Sequence, residues 1–227
     1  MIANKKEFNM GIILFAAFWG VFFVLMSPVF AGKNLLDYMD NLYNQISKKS
    51  SYYIPDVQKK VGDAKGTQIS FSAKAKGEQV ARLTKMYQTA GATVTPDGEK
   101  LKISGDLGAI VAAALTDAES MFNNDGKAIA SKYGADEKEI VYAWWDSFKA
   151  AEKEMNKNSK FKEGKLLKNA QTKALEPAYN YYKIEAVPIK DKWGTVVLSL
   201  VGYVIYTLWF GFAILFMFEG WGMQLEH

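Results

Sequence analysis

The sequence predicts an α+β membrane protein: two transmembrane helices flank a mixed soluble domain made of a β-α-β-β-α unit and long C-terminal helices. Three observations predict it. Phe8–Gly32 is free of charge over 25 residues, and Trp193–Phe218 is free of charge over 26. The stretch between them carries most of the charge and switches between period-2 and period-3.6 apolar patterns.

The first apolar stretch contains 13 Leu, Ile, Val or Phe residues. Each favours the bilayer centre by roughly 0.3–0.6 kcal/mol. As a helix it would be about 37 Å long, against a hydrocarbon core of about 30 Å. A soluble helix rarely runs so far without a charge, because one face must meet water. Lys5 and Lys6 precede the stretch, and Ser27-Pro28-Val29-Phe30-Ala31 has the small residues of a signal-peptidase site. The apolar run exceeds a typical signal-peptide core, so an uncleaved signal anchor is expected. The second stretch contains 14 Leu, Ile, Val or Phe residues, and Trp193 and Trp221 bracket it as interfacial anchors would.

The expected organisation is a cytoplasmic tail at 1–8, a first span at 9–31, an extracytoplasmic domain at 32–192, a second span at 193–218 and a cytoplasmic tail at 219–227. The N-terminal tail carries Lys5 and Lys6, and short basic tails stay inside. Lys33, Lys183, Lys190 and Lys192 on the domain side pull the other way, but long loops translocate largely regardless of charge. The expected location is the inner, cytoplasmic membrane, with the domain on its periplasmic or extracellular side.

Within the domain, Leu35, Leu36, Met39, Leu42, Tyr43 and Ile46 recur at helical spacing behind Asn34 as N-cap. Pro55 is placed to open a short helix through Val61. Thr67–Ala75 alternates, with Ile69, Phe71 and Ala73 on one side, as a half-buried strand does. Glu78–Ala90 reads as an amphipathic helix closed by Gly91. Ala92–Thr95 and Leu101–Ser104 read as strands around Pro96-Asp97-Gly98, and Leu107–Phe122 as a helix. That order fits part of a split βαβ sandwich. Asn123-Asn124-Asp125-Gly126 reads as a turn; it lacks the acidic positions of a calcium loop. Asp136–Asn156 and Phe161–Ala186 read as helical, with Pro177 as a break or a new start.

Composition narrows the chemistry. There is no cysteine, so this chain supplies no disulfide, thiolate metal site or iron–sulfur ligand. The single histidine is the terminal His227, which leaves little for histidine-centred acid–base work. Of 28 basic residues only Arg82 is arginine, which argues against nucleic-acid recognition despite the net charge of +4. No phosphate loop, dinucleotide fingerprint, nucleophile elbow or zinc-protease motif is present. No catalytic residue, metal ligand or cofactor is assigned.

The candidate contact residues are therefore those suited to packing. Ala16 and Gly20 form a small-xxx-small pair in the first span. Ser199, Gly202, Tyr206 and Gly211 put small or polar groups in the second, where polar groups need partners. Trp144 and Trp145 are adjacent and so about 100° apart on a helix; one is expected in the core and the other at a contact surface. Glu219 follows the second apolar run and reads as an interfacial carboxylate. The expected function is a non-catalytic accessory or structural subunit of a larger bacterial-type membrane complex, with a respiratory or electron-transfer assembly as one host. Its partners would be the lipid bilayer and other integral membrane subunits. The alternative is an extracytoplasmic ligand-binding or sensor module that signals through a partner. A homo-oligomeric channel and a membrane-bound enzyme rank below both.

Overall fold

The computed structural model describes residues 2–223; the lone His227 lies outside the described residues. The protein is 71% helical with a small three-stranded sheet. It divides into two compact units: residues up to Ile46 together with those from Val187 onward, and Ser47–Ala186.

The first unit holds two helices long and apolar enough to cross a membrane, α1 (Lys5–Met26) and α10 (Trp193–Trp221). Asn4 caps α1, its Oδ1 accepting from the Lys6 and Glu7 amides at 3.1 and 3.4 Å. The helix stops at Met26, one residue before the Ser27-Pro28 pair, because the ring of Pro28 disfavours helical backbone at Ser27. α10 ends at Gly222, which takes the left-handed conformation (φ 94°) that glycine adopts without strain. α2 (Leu35–Ser50) starts behind Asn34, whose Oδ1 accepts from the Asp37 amide at 2.8 Å. The boundary between the units falls within α2.

The second unit begins with α3 (Ile54–Val61), where Pro55 sits in the first turn and needs no amide donor. Then come β1 (Gln68–Lys74), α4 (Glu78–Thr89), β2 (Thr93–Asp97), β3 (Lys100–Asp106) and α5 (Leu107–Phe122). The sheet order is β1-β3-β2, with β3 antiparallel to both neighbours, so β1 and β2 run parallel around it. Opposite register places Phe71 against Ile103 and Ala73 against Leu101, all buried. β1 is buried at alternate residues, as its sequence requires. Asp106 caps α5 by accepting from the Ala109 amide at 2.7 Å and also takes the Gly66 amide, which ties the strand end to the preceding loop.

The rest is helical: α6 (Gly126–Tyr133), α7 (Glu137–Lys157), α8 (Phe161–Ala170), a π-helical turn at Gln171–Leu175 and α9 (Glu176–Asn180). Asp136 caps α7 through the Lys138 and Glu139 amides at 2.9 and 3.1 Å. The core of this unit runs along an aromatic chain: Phe71 to Tyr87 at 5.8 Å, Tyr87 to Trp144 at 4.9 Å, and Trp144 to Phe148 at 5.7 Å between ring centres. Edge-to-face packing of this kind adds to the burial of large apolar area.

Three segments differ from the sequence expectation. Pro96 and Asp97, expected in the hairpin turn, pair with Leu101 and Lys100 as the end of β2, and the turn narrows to Gly98 and Glu99. The turn after α5 is shorter than expected, with Asn124 at φ 64°, and Gly126 opens α6. α6 shows its inner face to the core through Gly126, Ile129 and Tyr133, too few positions for a visible apolar period. The expected helix over Phe161–Ala186 stops at Asn180. Pro177 has no amide hydrogen to offer the carbonyl four residues back, and the backbone widens into the π turn just before it, where the Glu176 amide reaches the Gln171 carbonyl.

Candidate functional site

α1 and α10 pack antiparallel along one narrow stripe. The Asn4 amide donates to the Gly220 carbonyl at 2.9 Å, and Phe8 meets Trp221 edge to face at 6.4 Å. Gly11 lies against the backbone of Ala213 and Met217; a Cβ there would stand 2.9 Å from the Ala213 carbonyl oxygen and 2.7 Å from the Met217 nitrogen. Farther along, Trp209 Nε1 donates to the Leu14 carbonyl at 3.1 Å. Phe18 stacks on Tyr206 at 4.3 Å, and the Tyr206 hydroxyl donates to the Phe18 carbonyl at 3.2 Å. Contact positions three or four apart on both helices are what one face of each can supply.

Only Gly11 in α1 and Ala213 and Gly220 in α10 are buried. The other faces are open: Ile13 and Phe23 are each 67% exposed and Leu198 is 72% exposed. Ala16 and Gly20 lie on an open face, about 100° and 140° around the helix from the Phe15 position that meets Phe210. A Cβ on Gly20, Gly202 or Gly211 would meet nothing within 4 Å. Ser199 is half-buried; its hydroxyl pairs with the Tyr43 hydroxyl at 2.8 Å and donates to the Val196 carbonyl at 2.7 Å. Glu219 is exposed. Among the candidates in this unit, then, Tyr206 joins α1 to α10, Ser199 joins α10 to α2, and the others lie on open surface. The glycines of the stripe itself, Gly11 and Gly220, differ from them only in facing a neighbour, which spacing alone does not disclose.

In α10 the Thr207 hydroxyl donates to the Tyr203 carbonyl at 2.8 Å, whereas the Thr195 and Tyr203 hydroxyls have no partner among the described residues. Tyr203 is the more exposed of the two, at 70%, and the nearer to the middle of the helix.

In the second unit the adjacent tryptophans differ in burial. Trp144 is fully buried and donates from Nε1 to Asp117 Oδ2 at 2.8 Å. Trp145 is half-buried, donates to Glu176 Oε1 at 2.9 Å and stacks on the exposed Tyr142 at 5.9 Å. Asp117 is a buried carboxylate with three donors: Trp144, the Tyr133 hydroxyl at 2.6 Å and the Lys132 ammonium at 2.8 Å. Burial, and then the hydrogen bond to Asp117, push the Tyr133 hydroxyl well above the usual tyrosine range. Lys48 is buried too. Its ammonium donates to Asn124 Oδ1 at 2.9 Å and the Ile184 carbonyl at 2.6 Å, and burial lowers its pKa.

One further surface of this unit is concave and carries several charged side chains. A groove of about 340 Å³ is walled by the end of β1, by α4 and by α7, with Tyr179 of α9 at its rim. The only arginine of the chain, Arg82, lines it and pairs with Glu139. The Arg82 side chain is 15% exposed, and its Nε is buried without a hydrogen-bond partner among the described residues. In the sequence Arg82 stands out only by its solitude among lysines, and no motif surrounds it.

No protein-family model, no curated protein and no solved structure matches this chain.

Proposed function

We propose that this protein is a non-catalytic subunit of a larger membrane complex, held in the bilayer by α1 and α10 and bracing a partner. The reading rests first on area. The α1–α10 stripe covers one side of each helix and leaves large apolar side chains open around the rest, far more than a water-soluble monomer exposes. Lipid accepts such a surface.

The observation that points past lipid to a protein partner is Tyr203. It lies four residues from the midpoint of α10, about 6 Å along the axis, and its hydroxyl is unpaired among the described residues. A hydroxyl without a partner in hydrocarbon costs several kcal/mol. A polar group from a neighbouring subunit would remove that cost, and the bare backbone at Gly202 beside it lets a second helix approach closely. The proposed arrangement keeps both tails in the cytoplasm and the 47–186 unit outside, following the basic residues of the N-terminal tail. A respiratory or electron-transfer assembly is one host of this kind; its redox groups would belong to the partners.

Purification of the full chain in mild detergent tests the reading. Stoichiometric membrane partners should co-isolate, and Gly202→Leu with Tyr203→Phe should release them. A lone 25.4 kDa subunit from native membranes would overturn it. Protease treatment of spheroplasts tests the orientation: the soluble unit should be cut without lysis.

A further inference from the structure

We propose that the Arg82 groove is a binding site for a small organic carboxylate, and that Glu139 occupies the arginine fork as an internal stand-in when the site is empty. This inference goes beyond the subunit reading and holds whether or not the chain has partners.

The first argument is the residue itself. Lysine stands at 27 positions, Lys74 and Lys138 of this groove among them, yet the single arginine of the chain also lines it. Its planar fork can hold a carboxylate through two parallel N–H···O bonds, which a lysine ammonium cannot do. The second argument is the state of that fork. Glu139 engages one terminal nitrogen, while the buried Nε donates to nothing among the described residues. Buried donors are paired in nearly all folded proteins, so an orphan calls for an explanation. A carboxylate approaching side-on would take Nε and a terminal nitrogen together, a pairing that Glu139 does not make.

Displacing Glu139 is cheap. Its side chain is 54% exposed and returns to water easily, so a ligand carboxylate exchanges one solvated anion for another. The surroundings suit a small molecule. Lys74 and Asp146 line the groove without an ion-pair partner among the described residues, and Gln79 adds an amide. Tyr142 and Tyr179, 6.4 Å apart, give aromatic walls for a carbon skeleton, and the Lys138 ammonium sits 5.0 Å over the Tyr179 ring. The volume lies in the range of metabolite sites.

Calorimetric titration of the full chain in detergent with succinate, L-glutamate and inorganic phosphate tests this. Saturable one-to-one binding of succinate or glutamate is expected. Arg82→Lys should weaken it at least about tenfold, because the bidentate pairing is lost. Glu139→Gln should tighten it by about two- to fivefold, the worth of a half-exposed ion pair. Opposite effects from the two partners of one salt bridge are the signature of a stand-in; a purely structural pair would show no such opposition. Should Arg82→Lys fail to fold, Glu139→Gln alone decides. The proposal is overturned by no saturable heat from either carboxylate up to about 10 mM, by unchanged affinity in Glu139→Gln, or by phosphate binding more tightly than both.

Discussion

Removing the Asp117 carboxylate should be among the most damaging single changes available in the soluble unit. The Asp117 side chain is 3% exposed, and it gathers Trp144 Nε1 at 2.8 Å, the Tyr133 hydroxyl at 2.6 Å and Lys132 at 2.8 Å. In Asp117→Ala the indole N–H and the phenol O–H both lose their acceptor while remaining buried, at about 1–3 kcal/mol each. Lys132 is 34% exposed and rehydrates, adding little. The sum is about 4 kcal/mol, which corresponds to a fall of about 8–16 °C in Tm for a unit of this size. Asp117→Asn separates charge from shape. Its amide oxygen still accepts from Trp144 and Tyr133, and only the charge assistance and the lysine pair are lost, about 2 kcal/mol or 4–8 °C. Near-UV circular dichroism of the full chain in detergent reads both melts, and Trp144 emission reports water entering the site. An Asp117→Ala protein melting within about 2 °C of the parent would refute the reasoning.

Three further outcomes follow from the same contacts. With Phe15→Cys and Phe210→Cys introduced into this cysteine-free chain, disulfide yield between the helices should fall severalfold on Gly11→Leu and stay unchanged on Gly20→Leu, because Gly11 faces the backbone of α10 and Gly20 faces open space. Lys48→Met should change stability by about 1 kcal/mol or less: the charged form is already penalised by burial, and the Ile184 carbonyl keeps Asn124 Nδ2 as donor at 3.0 Å. Denaturant melts of the full chain would show it, and a loss above about 3 kcal/mol would contradict it. The Tyr182 hydroxyl donates to Glu137 at 2.7 Å; burial first, then that bond, raises it to about 12, while the same bond lowers Glu137. A raised tyrosine contributes stability present below its unfolded value of 10 and lost as pH rises through 12; a lowered glutamate contributes stability present above 4.5 and lost as pH falls through its folded value. Tyr182→Phe should therefore flatten both the acid and the alkaline limbs of a Tm-against-pH profile.

Local chemistry explains why so many elements are legible in the order of residues. Period-2 burial at Ile69, Phe71 and Ala73 and the bounds of α5 need no knowledge of their neighbours, and Asn34 and Asp136 cap their helices through amides two or three residues away. α6 is not legible, because its inner face rests on three residues and the Asn-Asn-Asp turn before it masks the start. The end of α9 is obscured for the opposite reason: helical periodicity continues past Pro177 through Tyr181 and Tyr182, while the backbone does not.

Residue order alone establishes that two helices are long and apolar enough to cross a membrane, that a small mixed unit lies between them, and that the chain offers no cysteine chemistry, since hydropathy, periodicity and composition are properties of neighbouring residues. Only the packed chain settles which glycine faces a helix and which faces open space, that Asp117 sits under Trp144 and Tyr133, and that Arg82 meets Glu139 across 57 residues of chain. The reason is physical. A helix shows every side chain the same spacing, and only the arrival of a second element turns one face into a contact and leaves the others bare.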